Sequence, residues 1–413
     1  MRSAMTIVLL CLAILGFLSI ILEDIIHIDK AKSTLFFGTL AWMLYFMFPP
    51  EQQNVDSIMQ SLNENLLEIA TLWLFLMAAM TFVAYVSSKG IIEAIVNKVL
   101  PKQMSERKLM IIVGLFAFVF SSMADNITAT LVCITVLLSL RLSTDKLIRY
   151  LVLTVFAVNS GGAALITGDV TTLMIFLAGK VKIFDLILLS LPAIFAVIVL
   201  ATLLAIPLKG TVSLETRTFN IATSDKIIAG MFLCTIIGTI IANIAFGIPP
   251  VLTFLFGLAL MFMVVHFLNK DEPVLEYIRR IEFDTLLFFL GVLLIVGILK
   301  ELGVLAHFPK LYEHLPPLAA NFVVGLISAL FDNVPLTAAL LKSGIDMNEA
   351  QWLTLTYSVG VGGSLLAIGS AAGVVAMSKV EALTFLTYLR YSGYLLVAYT
   401  IGFAGVYLVS FLL

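Results

Sequence analysis

Apolar runs of about 20 residues, separated by short polar breaks, recur from one end of the chain to the other, and each is the length a helix needs to cross a bilayer. The pattern predicts ordinary spans at 5–22, 32–48, 65–87, 183–207, 226–246, 250–268, 284–299 and 392–412. The charge-bearing amphipathic stretches 89–106 and 300–314 read as interfacial rather than spanning. Two segments break the pattern. Residues 109–140 and 315–341 are too long for one span and too short for two. Each is interrupted by an Asp-Asn pair, in SSMADNITAT (121–130) and in SALFDNVPLT (328–337). Both suit a re-entrant hairpin of two half-helices, whose tip is tolerated at membrane depth only if it is buried in protein or lines a cavity.

A glycine-interrupted span follows each hairpin, at 150–178 and 350–378. Their centres, VNSGGAALITGDVTTLM (158–174) and VGVGGSLLAIGSAAGVV (359–375), share Gly-Gly, five residues and Gly. Glycine there is expected to let the chain unwind and turn carbonyls inward. EIATLWLFL, starting at Glu68, matches EFDTLLFFL, starting at Glu282. These matches predict an all-α polytopic membrane protein built from two halves, 1–210 and 220–413. Each half has three spans, a hairpin, a broken span and a final span, so about ten crossings plus two hairpins in all. Five crossings per half is odd, which makes the repeats inverted.

Charge tests this topology. With the hairpins counted as no crossing, 18 of the 24 Lys and Arg fall on one face, leaving Arg2, Lys180, Lys182, Lys300, Lys310 and Lys342 on the other. That bias makes the first face cytoplasmic, with both termini outside and the cell (inner) membrane as the location. Composition agrees, because 61% of the 413 residues are hydrophobic and 12% charged, against about 25% charged in soluble chains. Residues 5–22 lack a basic n-region and read as the first span, not a signal peptide. No polar stretch is long enough for a soluble domain, and no basic run suggests a nucleic-acid partner. Cys11, Cys133 and Cys234 lie in apolar runs and read as free thiols.

The chemistry lies in the acids. Of 26 acidic residues only Asp125, Asp169 and Asp332 lie deep within apolar runs. An ionised carboxylate there costs about 2.5–3.5 kcal/mol even on the lenient insertion scale. Asp125-Asn126 and Asp332-Asn333 stand where helix N-caps stand, with Pro335 suited to the first turn that follows. Capping alone needs no charge, so these aspartates are read as functional. Hairpin tips meeting unwound segments offer carboxylate, amide, hydroxyl and carbonyl oxygens, which are ligands for a hard cation. The candidates are Asp125, Asn126, Thr130, Asn159, Ser160, Thr167, Asp169 and Thr171 in the first half, and Asp332, Asn333, Thr337, Ser364 and Ser370 in the second. Ser370 answers Asp169 in the repeat, which puts the main cation site nearer the first half. A carboxylate that holds Na+ when bare and H+ when the cation has left would exchange the two by competition, so neutralising Asp125 is expected to abolish coupled exchange. Glu68, Glu282 and Asp284 sit just inside span starts, where they either complement the helix dipole or relay protons. Glu64 reads as a solvated first-turn acid, and His27, His266, His307 and His314 lie near membrane ends without clustering.

SSMADNITAT, NSGGAALITGDVTTLM and SALFDNVPLTAAL together resemble the NhaD-type sodium/proton antiporters of the ion transporter superfamily, from about residue 64 onward. The resemblance implies efflux of Na+ and Li+ in exchange for H+, with no cofactor. It also implies a homodimer in membrane lipid and an elevator-like transport domain, made of hairpins and broken spans, moving against a scaffold. Implied functional residues are Asp125, Asn126, Asp169, Thr171, Asp332 and Asn333, and more loosely Glu68, Glu282 and Asp284. A rival of the same architecture is an anion (dicarboxylate or arsenite) transporter, disfavoured because the tip aspartates would repel an anion and no Lys or Arg within the membrane compensates. An intramembrane aspartyl protease is disfavoured because Ala124 and Ile166 stand where its motifs need Tyr and Gly.

Overall fold

The computed structural model describes residues 2–21, 27–49, 55–92, 94–95, 103–140, 142–213, 221–269, 272–279, 281, 283–307, 309–330 and 333–412. In chain order its helices are α1 (Arg2–Ile21), α2 (Lys30–Met47), α3 (Val55–Ser88), α4 (Glu106–Met123), α5 (Asn126–Ser139), α6 (Thr144–Gly162), α7 (Val170–Leu177), α8 (Ile183–Ala205), α9 (Thr223–Phe246) and α10 (Pro250–Leu268). There follow α11 (Val274–Arg279), α12 (Phe283–Glu301), α13 (Pro309–His314), α14 (Pro317–Ser328), α15 (Asn333–Lys342), α16 (Glu349–Gly362), α17 (Ala371–Lys379), α18 (Phe385–Leu389) and α19 (Ser392–Ser410). Among the described residues six helices, α3, α8, α9, α10, α12 and α19, are long and apolar enough to cross a membrane. Two further predicted spans form shorter or less apolar helices: the apolar part of α1 runs over Met5–Ile20, and α2 opens on Lys30 and Lys32.

The chain is not wholly α. Part of the expected interfacial stretch 89–106 is a strand, β1 (Gln103–Ser105), paired antiparallel with β2 (Thr211–Ser213). The reason is local and polar: the Glu106 N–H donates to Gly210 O at 3.0 Å, and Glu106 Oε2 accepts from Gly210 N at 2.9 Å.

Each of two compact units draws on both sequence halves. The first comprises Met1–Leu74, Glu282–Ala320 and Val334–Met347. In it α2 lies against α12 at small residues. A Cβ on Gly291 would sit 2.4 Å from the backbone of Leu35, and Trp42 Nε1 donates to Leu294 O at 3.0 Å. The second comprises Phe75–Ile281, Asn321–Asn333 and Asn348–Leu413. Its centre is α6, buried without interruption from Tyr150 to Gly162, as a helix enclosed on every side must be. By contrast α9 and α10 leave Ile241, Ile244, Phe256 and Phe267 exposed, as an apolar solvent allows.

Where α3 ends, Lys89 Nζ lies 2.8 Å from Glu272 and 4.0 Å from Asp225. The Tyr85 hydroxyl donates to Asp225 at 2.7 Å, and Tyr277 donates to Glu272. Burial pulls the Lys89 ammonium down, but its bond to Glu272 and the surrounding negative groups outweigh that, so it titrates above its ordinary value. Lys89→Met is expected to cost about 1–2 kcal/mol, by leaving a buried carboxylate short of a charged donor. A raised lysine contributes fully below the unfolded value of about 10.4 and loses its contribution as pH rises through the folded value. Melting curves should therefore show a constant gap between wild type and variant from neutral pH to about 10, closing only above it.

Candidate functional site

The first anomalous segment forms two helices, α4 and α5, parted by only Ala124 and Asp125 in extended conformation. Asp125 caps α5: its Oδ1 accepts from Thr128 N at 2.8 Å and its Oδ2 from the Thr128 hydroxyl at 2.6 Å. The first broken span leaves the helix after Gly162 and re-enters it at Val170, where Asp169 is the N-cap and accepts from Thr171 N at 3.0 Å. Ser370 caps α17 with nearly the same backbone angles, φ −146° and ψ 150° against −141° and 139° for Asp169.

The broken spans unwind where expected, and their glycines have a second duty. The positive-φ glycines among the described residues are Gly90, Gly179, Gly247, Gly303 and Gly344, none of them in either motif. The motif glycines instead permit close approach of another backbone. A Cβ on Gly161 would lie 2.1 Å from Phe118 O, and one on Gly362 would lie 2.2 Å from Gly325 O. Phe118 and Gly325 each stand seven residues before a tip aspartate. The seryl hydroxyls four residues before each tip also match: Ser121 donates to Val158 O at 2.8 Å, and Ser328 donates to Val359 O at 2.9 Å.

These approaches bring polar groups together at Asp169, which is 8% exposed. Its Oδ2 accepts from Asn126 Nδ2 at 3.0 Å and from Asn333 Nδ2 at 3.2 Å. The asparagine of each Asp-Asn pair thus donates to one carboxylate, inside the second compact unit. Asn126 is oriented by Ser121, whose hydroxyl lies 2.7 Å from Asn126 Oδ1. Close by in sequence, Asn159 spends its Nδ2 on Val155 O at 2.8 Å and Ser370 Oγ at 3.1 Å. Its Oδ1, and the hydroxyl oxygen of Thr171, are buried with no hydrogen-bond partner.

Other candidates are placed differently. Thr130, Ser160 and Ser364 return their hydroxyls to carbonyls of their own turns. Thr167 ties the broken span to the hairpin by donating to Ser122 O at 2.6 Å. Thr337 is buried one turn beyond Asn333 in the part of α15 assigned to the first unit. Asp284 is exposed in the first turn of α12, and Glu64 is exposed and accepts from Gln60 at 3.2 Å. Asp332 and Glu282 lie outside the described residues. Two groups were missed. Ser121 and Ser328 could have been found by aligning the repeats, since each stands four residues before a tip aspartate. The other is Lys342, whose side chain is 11% exposed and whose Nζ lies 2.9 Å from Glu68. Its position at the end of an apolar run made it read as a boundary.

In the second unit apolar helices enclose a carboxylate with amide and hydroxyl groups beside it, a combination that membrane transporters use. The family model described as citrate transporter (CitMHS) matches residues 2–373. The chain is 32% identical over 417 residues to the Na+/H+ antiporter NhaD of Vibrio cholerae, covering 93% of this chain and 87% of that one. It is 30% identical to the Na+/H+ antiporter NhaD of Alkalimonas amylolytica, over 95% and 89% of the two chains. It is 27% identical to sodium/proton antiporter 1 of Arabidopsis thaliana, over 95% and 70%. The chain belongs to the CitMHS family, within its NhaD-type branch. It is a multi-pass membrane transporter and not an enzyme.

Proposed function

We propose that this protein exchanges cytoplasmic Na+, and Li+, for external H+ by competition at the Asp169 carboxylate. The observation that carries this reading is the pair of buried acceptors without donors, Asn159 Oδ1 and Thr171 Oγ1. A buried polar atom left unpaired costs about 1–3 kcal/mol, and a bound cation would offset that cost at both. Oxygen-only donors of this kind suit a hard cation. When the cation leaves, the amides of Asn126 and Asn333 still hold Asp169 in place, and a proton taken up there cancels its charge. The names of the relatives support Na+ and H+ as the ions. The same reading takes in the tip aspartates Asp125 and Asp332 as further charge near the path. It also takes in an elevator-like movement, inverted repeats, a homodimer and an inner-membrane location with both termini outside, all implied by the resemblance or by the positive-inside count. The matching contacts of Phe118 with Gly161 and of Gly325 with Gly362 support the repeat.

Thermal unfolding in detergent tests the site without relying on transport. A ligand at a hundred times its Kd stabilises by about 2.7 kcal/mol, so Na+ should raise the melting temperature of the wild type. Thr171→Val removes an oxygen that no donor satisfies, so the variant should be at least as stable without Na+ and gain nothing from it. Stabilisation by citrate in place of Na+ would favour an anion carrier, the activity in the family's description, and would overturn the cation reading.

A further inference from the structure

We propose that Tyr388 is a positioning residue for the cation site, an inference that rests on the Na+ reading above: its hydroxyl pins the unwound segment of the second broken span, and that segment, through Ser370, keeps Asn159 Oδ1 free for the ion. The segment leaves α16 after Gly362 and runs through two tight turns, Gly363–Leu365 and Ala367–Gly369, with Leu366 extended between them at φ −125° and ψ 147°. Unwinding strips its carbonyls of their helical donors, and buried carbonyls must then find others. Two come from the chain beyond it. The Tyr388 hydroxyl, on α18, donates to Ser364 O, and the Ser392 hydroxyl, at the start of α19, donates to Leu365 O at 3.0 Å. Tyr388 and Ser364 are both fully buried, so solvent does not stand in for the hydroxyl. At its far end the segment meets backbone: a Cβ on Gly369 would lie 2.5 Å from Ala329 O, just past α14. All of these residues, and Asn159, belong to the second compact unit.

Ser370 closes the segment and reaches the site. Its Oγ accepts from Asn159 Nδ2 at 3.1 Å and from Gly373 N at 3.3 Å, and it is 3% exposed. With Nδ2 spent on Ser370 and on Val155 O, the Asn159 amide cannot turn over without setting its oxygen against the Val155 carbonyl. That is what leaves Oδ1 as the unpaired acceptor. A ligand is oriented by the groups bonded behind it, and loosening them weakens binding while every ligand remains in place. The first broken span is supported differently. Only residues 178–182 part α7 from α8, whereas 380–391 part α17 from α19 and supply α18. Its Gly162 carbonyl takes the Thr172 hydroxyl of its own span, at 3.3 Å. Tyr388 thus lies on an element that one half of the chain has and the other lacks. Without its hydroxyl the Ser364 carbonyl is left buried and short of a donor, the segment shifts to relieve it, and Ser370 moves away from Asn159.

The test measures Na+-driven proton exchange, in proteoliposomes carrying an internal pH dye, for Tyr388→Phe, Ser392→Ala and the control Tyr150→Phe. Tyr150 is as buried as Tyr388, and its hydroxyl donates to Glu106 O at 2.7 Å, nine residues along α6 from Asn159. Tyr388→Phe should raise the apparent KM for Na+ about fivefold with the maximal rate little changed, equivalent to about 1 kcal/mol of lost binding. Ser392→Ala should raise it in the same direction, by about twofold. Tyr150→Phe loses a buried hydroxyl of the same kind, so it should lower the melting temperature and leave KM at the wild-type value. Amide hydrogen exchange supplies a readout independent of transport: residues 364–373 should exchange faster in Tyr388→Phe and at the wild-type rate in Tyr150→Phe. Should Tyr388→Phe fail to fold, Ser392→Ala carries both comparisons. Wild-type KM in Tyr388→Phe and Ser392→Ala, an equal rise in Tyr150→Phe, or unchanged exchange over 364–373 overturns the proposal. A wild-type protein that moves no Na+ overturns the functional reading instead, and hydrogen exchange then decides by itself whether Tyr388 holds the segment.

Discussion

Replacing Asp169 with asparagine is expected to abolish Na+-coupled proton exchange, a loss of about 100-fold or more, equivalent to at least about 2.7 kcal/mol. Two effects combine. The first is charge: with no carboxylate neither ion has its competitor's site, so the proton gradient in proteoliposomes should not respond to Na+. The second is hydrogen-bond polarity. Asp169 accepts on both oxygens, from Thr171 N on one and from Asn126 and Asn333 on the other. Asparagine has only one acceptor, so whichever way it turns an NH2 faces a donor, costing about 1–3 kcal/mol. Loss of exchange should therefore come with a lower melting temperature, and a fully active, fully stable Asp169→Asn protein would sink the assignment. For Asp125 the sequence alone predicts the same loss. The structure adds a second duty, the cap on Thr128, which asparagine can keep. Asp125→Asn should thus preserve the fold and report on charge alone. On the proposed competition of H+ and Na+ for the same oxygen atoms, the apparent KM for Na+ in the wild type should fall as pH rises.

Gly161→Ala and Gly362→Ala are expected to destabilise by more than about 4 kcal/mol, the range reserved for core overpacking and strain. The added Cβ would lie 2.1 Å from Phe118 O in one case and 2.2 Å from Gly325 O in the other. Backbone cannot step aside as a flexible side chain can, so a hairpin arm must separate from its broken span. Gly238, within α9, is the control, with nothing within 4 Å of a built Cβ. There alanine should be neutral or stabilising by about 0.5–1 kcal/mol, the ordinary gain over glycine in a helix. Folded yield and melting temperature in detergent would distinguish the sites. Equal tolerance of alanine at all three would show that the close approaches are not required.

The spans and their breaks were legible in the sequence because bilayer thickness and apolar run length are the same physical constraint. Helices begin within a few residues of prediction at Ile183, Thr223, Pro250, Phe283 and Ser392. The breaks at Asp125 and Asp169 were legible because a charge in an apolar run demands an explanation. What could not be read was which polar atoms meet. Asn126 and Asn333 donate to the aspartate of the broken span while Asp125 turns to its own helix, a choice made by tertiary approach. Glycine and the unwinding beside it were legible from the repeat, but only the neighbouring carbonyls show that close approach is also a requirement. The partners of Lys342 escaped for a similar reason, since nothing in the apolar run it closes points to Asn65 and Glu68. The β1–β2 ribbon had too few residues to leave a pattern.

The distance in sequence between Asp169 and its donors sets an order of events while the protein is being made. Asn126 precedes its acceptor by 43 residues and Asn333 follows it by 164. As the chain leaves the ribosome, Asn126 emerges before the carboxylate to which it will donate has been synthesised. The broken span then arrives and buries an acid that still lacks one of its two amides. Until Asn333 is delivered, this centre is one hydrogen-bond donor short, and an apolar solvent would offer it none. Only in about the last fifth of translation, once Asn333 has been made, can the polar centre close on itself.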